Sequence, residues 1–103
     1  MILLGDDRRQ AQAVLIARHY TGSVPSGKSV YIRYDDALVV FSIPANKNIA
    51  KYLGFEQVWE LSRLWAPDDH APNLLTRALS YAVTVFRREQ PAVEALVSYA
   101  GPN

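Results

Sequence analysis

The chain has 103 residues, with eleven Lys or Arg against ten Asp or Glu, a net charge of +1, and half of its residues hydrophobic. This length and apolar content suit one folded domain and exclude intrinsic disorder, and the charge balance excludes a general electrostatic footprint for nucleic acid, so that any DNA contact is local. The lack of cysteine excludes disulfides, thiolate catalysis and Cys-based zinc sites. With no signal peptide and no apolar run near ~20 residues, the expectation is a cytoplasmic protein without a membrane partner.

Asp6 or Asp7 is placed to cap a helix in which Ala13, Ile16, Ala17 and Tyr20 recur at i, i+3, i+4 and i+7, a stripe expected to be buried. Gly22 is the expected residue just past its end, and Ser23 to Lys28 is a loop. Val30 to Tyr34 and Ala37 to Ile43 read as hairpin strands around Asp35-Asp36, stopped by Pro44. Asn46 to Leu53 is a short helix or irregular, ended by Gly54.

Gln57 to Trp65 is a long strand. Period-two alternation puts Trp59, Leu61, Arg63 and Trp65 on one face and Val58, Glu60, Ser62 and Leu64 on the other. Apolar groups on both faces mark it as central, and Glu60 and Arg63 are expected to point apart. Pro67 and Pro72 bound a loop. Asn73 is the expected N-cap of a helix to about Glu89, with Leu75, Leu79, Ala82, Val83 and Phe86 as its apolar stripe. Pro91 follows, then a last strand from Ala95 to Ala100. The order α-β-β-(α)-β-α-β predicts an α/β (α+β) fold: a mixed sheet with an antiparallel hairpin followed by a parallel βαβ unit. Residues 1–103 form a single domain whose sheet ends on a strand ready for another neighbour, so truncation at the C-terminus is expected.

Gly22 to Ser29 matches the phosphate-loop pattern G-x-x-x-x-G-K-[ST] letter for letter. Such a loop needs a strand before it and a helix after it, so that free N–H groups face the phosphates. Here a helix enters and a strand leaves, and Pro25 removes one N–H. The match is read as a helix-to-strand loop.

The βα junction after Trp65 offers a helix amino end to an anion. His19 ends the first helix, where the dipole favours its imidazolium and can raise its pKa; it suits acid–base work or, more simply, caps carbonyls. Tyr20 continues the stripe as core or site residue. A carboxylate on a central strand is paired, protonated or open to a cleft, which makes Glu60 a candidate base, with Arg63 a counter-ion elsewhere or an anion ligand. Asp68, Asp69 and His70 adjoin in one loop but define no coordination geometry, so no metal is assigned. Ser98, His19 and Asp68 could form a nucleophilic triad, though no nucleophile elbow accompanies Ser98. Lys28, Arg33, Lys47, Lys51, Arg87 and Arg88 are candidate phosphate contacts, or solvated surface charges.

His19-Tyr20-Thr21-Gly22, Glu60-Leu61-Ser62-Arg63-Leu64-Trp65, Pro72-Asn73 with Thr76, and Leu96-Val97-Ser98-Tyr99-Ala100, in this order, resemble the phage Mom family. Members of that family look like GNAT acyltransferases and convert adenine in DNA to a carbamoylmethyl form, shielding phage DNA from restriction. The resemblance implies a GNAT-like sheet and a donor of the acetyl-CoA type. It implies His19, Glu60 and Ser98 as catalytic residues and Tyr20, Arg63 and Tyr99 as substrate contacts. Leu64, Trp65 and Ala66, with Asn73, would hold the acyl-CoA, the strand backbone extending to its pantetheine arm. The chain departs from the GNAT pattern in having Asp68-Asp69-His70-Ala71-Pro72-Asn73 where a glycine-rich pyrophosphate turn is usual. It departs from the Mom pattern in Gly101, which stands where an Asp is usual, and in having no Gly-His-x-Gly segment. Two other readings stand beside this one. One is a conventional N-acetyltransferase acting on a small-molecule or protein amine. The other is a non-catalytic binding module whose edge strand pairs in a homodimer or swaps between protomers.

Overall fold

A computed structural model gives the fold and describes residues 1–19, 22–25, 27–44, 54 and 57–98. The expected segment Asn46 to Leu53, together with Tyr20, Thr21, Ser26, Tyr99, Ala100 and Gly101, lies outside the described residues.

The elements are α1 (Gly5–Arg18), β1 (Ser29–Tyr34), β2 (Ala37–Ser42), β3 (Val58–Trp65), α2 (Leu74–Glu89) and β4 (Ala95–Ser98). The described strands form one sheet in the order β1-β2-β3-β4. The β1–β2 pair is antiparallel and β3–β4 is parallel, as the sequence predicts, and β2–β3 is antiparallel as well. The hairpin closes at Tyr34 opposite Ala37, leaving Asp35-Asp36 as the turn. Asp35 sits at φ 50°, a left-handed conformation that Asp tolerates and hairpin turns require. Residues 1–3 lie beside β1: Ile2 bridges Ile32, and Leu3 N–H donates to the Tyr31 carbonyl at 2.8 Å.

The α2 helix covers one face of the sheet. Phe86 is its anchor, with ring centroids 4.6 Å from Phe41 and 5.3 Å from Trp59. Ile32, Ala37, Val39, Leu74, Ala78 and Ala82 complete that core, and the expected stripe residues Leu79 and Val83 pack partly buried against it. Asn73 occupies the N-cap position but makes no side-chain cap bond and sits at φ 70°. It turns the chain into the helix by adopting the left-handed conformation, a service Asn gives more readily than most residues.

The α1 helix packs on the opposite face, with a different side inward from the one expected. Ala11 and Leu15 are buried, whereas Ala13 and Ala17 are exposed and Ile16 is 52% exposed. The inward side is Arg8, Ala11, Gln12 and Leu15, which has the same i, i+3, i+4, i+7 spacing. Arg8 donates to Ser29 Oγ at 2.9 Å and lies 4.9 Å from the Tyr31 ring centroid, and Gln12 donates to the Tyr31 hydroxyl at 3.4 Å. Polar side chains with apolar stems serve here as packing surface. Nor do Asp6 and Asp7 cap the helix: Leu4 holds the N-cap position without a side-chain bond, and both carboxylates lie inside the first turn, where they meet the positive end of the dipole. The helix ends at Arg18, and Gly22, at φ 62°, closes a following turn through its N–H to the His19 carbonyl at 2.9 Å. The segment from Gly22 to Ser29 leaves a helix and enters a strand, the reverse of a phosphate loop.

Candidate active site

The sheet's polar centre is made by an irregularity in β3. Leu38 to Val40 pair with Trp65 to Arg63, but Phe41 pairs with Leu61 and Ser42 with Glu60. Ser62 is therefore an extra residue, a β-bulge, and the alternation of side chains changes phase there. Trp59 and Leu61 pack toward α2 before the bulge, and Leu64 and Ala66 do so after it, while Trp65 packs in the cluster beneath α1. The expected single face of Trp59, Leu61, Arg63 and Trp65 is thus divided. Glu60 pairs with Ser42 and Arg63 with Val40, on the α1 face. The bulge brings Glu60 and Arg63 to the same side, contrary to strict alternation, although no ion pair joins them among the described residues.

Arg63 is held at three points. Its Nε donates to the Ser23 carbonyl at 3.1 Å, Nη2 to Ser23 Oγ at 3.2 Å, and Nη1 to the carbonyl of the bulged Ser62 at 2.7 Å. The guanidinium therefore ties the segment after α1 to the middle of β3. Ser62 Oγ also shares a hydrogen bond with Ser42 Oγ, whose residue is buried.

His19 stands at the end of α1, only 7% exposed, with its backbone N–H on the Leu15 carbonyl at 3.0 Å. Burial, and then the positive charge of Arg63, push its pKa below the ordinary histidine value. The sequence expectation of a dipole-raised pKa is overturned, because losing water and gaining a cationic neighbour both penalise the imidazolium. His19 is thus held toward its neutral form.

The structure brings His19 and Arg63 within electrostatic reach and sets Glu60, Ser62 and Arg63 on one face of adjoining β3 positions. Ser98 is not with them. It stands in register with Leu61, whose side chain packs toward α2, and so falls on the other face. Tyr20 and Tyr99 lie outside the described residues. Of the expected donor contacts, Leu64 and Ala66 turn their side chains into the α2 core, and Asn73 is exposed at the start of α2. The described β3–β4 ladder ends at the Leu61–Ser98 rung, while β3 runs on to Trp65. In the loop, His70 Nδ1 lies 2.8 Å from the Ala71 carbonyl, and among the described residues no three His, Asp or Glu side chains converge as metal ligands would. No helix among them is long and apolar enough to cross a membrane.

Sequence reasoning missed Ser23 and Ser42. The available signal was the run Glu60-Leu61-Ser62-Arg63 inside an otherwise apolar strand. Three polar residues in four on a central strand need polar company, and the nearby serines supply it.

No curated protein matches the sequence. The family model described as the Mom protein family matches residues 5–103.

Proposed function

The chain belongs to the Mom protein family, and we propose that it acts in phage DNA modification, attaching a carbamoylmethyl group to adenine with an acyl-CoA-type donor and so shielding the DNA from restriction. The family match across residues 5–103 carries this reading. The polar group on the α1 face of β3 supports it, since the Glu60 carboxylate there and the His19 imidazole at the end of α1 can exchange protons, with the anchored Arg63 as a fixed cation.

In this reading adenine leaves the base stack so that its exocyclic amine reaches β3. In the transfer step the amine nitrogen attacks the donor's thioester carbonyl carbon, the carbon–sulfur bond breaks with coenzyme A leaving as the thiol, and the amine gives up a proton. This gives an acylated adenine, and its conversion to the carbamoylmethyl form is a separate step that needs a nitrogen carried in the acyl group. Glu60 is the proton acceptor, or orients the amine, and His19, held toward its neutral form, relays the proton. Arg63, with its guanidinium engaged on Ser23 and Ser62, positions the site. The donor arm lies along the backbone between Ser62 and Trp65, beyond the last described rung of β4. Ser98, on the opposite face, takes no part in proton transfer.

The test is nucleoside mass spectrometry of DNA from cells expressing the chain. A modified adenine that disappears in Glu60→Gln, with both proteins folded by circular dichroism, is the expected result. Unmodified DNA beside a folded wild-type protein supplied with acyl-CoA would remove the enzymatic reading.

A further inference from the structure

The carboxyl end of β3 opens into a cleft that the proposed chemistry does not use. It has a volume of about 360 Å³ and includes Arg18, Arg33, Asp35, Asp36, Leu38 and Trp65 in its lining. Leu38 is 2% exposed, Trp65 and Arg33 are half-buried, and Arg18, Asp35 and Asp36 are exposed. The volume falls at the lower end of the ~300–1,000 Å³ typical of small-ligand pockets.

The lining selects a ligand class. Two arginines and two aspartates line it, so a phosphate alone would meet as much repulsion as attraction. A plain acyl chain would leave four charges unused. A planar heteroaromatic base has apolar faces for the Trp65 indole and Leu38, and an edge carrying both donors and acceptors. Carboxylates accept from exocyclic amines, and guanidinium groups donate to ring nitrogens and carbonyls. The position fits as well: Arg18 immediately precedes His19, and Trp65 lies two residues beyond Arg63 on the same face.

We propose that this cleft holds a base of unpaired DNA beside the adenine under modification, stacked on Trp65. The inference rests on the DNA reading above. The chemistry recognised is that of a purine nucleotide, which the donor's coenzyme A also contains, and the assignment is to DNA.

Trp59, at 6% exposure, is the other of the chain's two tryptophans, so quenching of the accessible indole reports on Trp65. The full chain is titrated with single-stranded oligo-dA while tryptophan emission is followed. The anisotropy of the labelled oligonucleotide is followed in parallel. Saturable quenching is expected, with binding weakened about 10-fold in Trp65→Leu, as loss of one stacking contact implies. Trp65 also packs beneath α1, so Arg18→Ala, at an exposed position, serves as a second variant. It should keep the fold and weaken both signals by several-fold. Coenzyme A alone should neither quench nor compete.

Oligonucleotide binding without a change in emission overturns the cleft and leaves the DNA reading intact. Quenching by coenzyme A that blocks oligo-dA transfers the cleft to the donor and overturns the inference. Absence of any oligonucleotide binding by folded protein also overturns it, whether or not cellular DNA carries modified adenine. Quenching as expected beside unmodified cellular DNA keeps the cleft and removes the catalytic reading.

Discussion

Replacing Arg63 separates its charge from its grip. Arg63→Met removes all three hydrogen bonds; Arg63→Lys keeps the cation but cannot reach Ser23 Oγ, the Ser23 carbonyl and the Ser62 carbonyl together. The two bonds to Ser23 are exposed and the bond to Ser62 is part-buried, so a charged hydrogen bond's usual ~1.5–3 kcal/mol is reached by one of them at most. The expected loss in Arg63→Met is about 2 kcal/mol, which lowers the Tm of a domain this size by roughly 10 °C. The more specific readout is His19. The chain has two histidines, so heteronuclear NMR gives two ring titrations, with His70 as the internal control. In the wild type His19 is expected to titrate below its ordinary value; in Arg63→Met it moves upward, because the neighbouring cation is gone and the segment after α1 is freer to admit water. Arg63→Lys should also move it upward, by less. An Arg63→Lys protein indistinguishable from wild type in Tm and His19 titration would show that charge alone matters. An unmoved His19 in Arg63→Met would refute the coupling altogether.

Glu60→Gln is expected to lower adenine modification by about 10²-fold or more while changing Tm little, measured by mass spectrometry and calorimetry. Leu15→Ala should cost about 2–5 kcal/mol in chemical denaturation, whereas Ile16→Ala should stay within about 0.5 kcal/mol, because Leu15 is buried and Ile16 faces solvent. Phe86→Ala removes the ring shared by Phe41 and Trp59, and at about 3–5 kcal/mol should leave much of the chain unfolded at 37 °C by circular dichroism. The pH dependence follows from His19. Its folded pKa lies below its unfolded value, so its contribution to stability is whole above the unfolded pKa and is lost as pH falls through the folded one. A Tm series from pH 8 to pH 5 should contain a decline that His19→Gln lacks.

The hairpin, the order of the elements and the limits of α2 were legible because their signals are local. Asp35-Asp36 between apolar runs makes a hairpin, Pro44 stops β2, and sixteen residues from Leu74 to Glu89 carry a helical stripe before Pro91. Which side of α1 faces the sheet was not legible. Arg8 and Gln12 bury their stems against β1, and a reading that counts apolar residues alone favours the opposite side. The β3 faces were misread after Ser62, since a bulge is fixed by pairing with β2 and leaves no period of its own in the strand. The same bulge decides the site. His19, Glu60 and Arg63 could be picked out individually, but the shared side of Glu60 and Arg63 depends on the extra residue, as does the placing of Leu61, and with it Ser98, across the sheet from Arg63. The lowered pKa of His19 was hidden because the opposing terms, burial and a guanidinium 44 positions later in the chain, exist only once the fold has formed.

The extra residue at Ser62 makes β3 two reading frames joined in one strand. Deleting that single serine would set Leu61 directly before Arg63 and leave a regular ladder in which Phe41 still pairs with Leu61 and Val40 with Arg63, every side chain keeping its present face. Taking Ser62 into the ladder instead would slip one half of the strand by a residue, and either Arg63 would be driven among the aromatics under α2 or Trp59 and Leu61 would be turned to the α1 side. The strand thus tolerates the loss of its extra residue more readily than a slip of register.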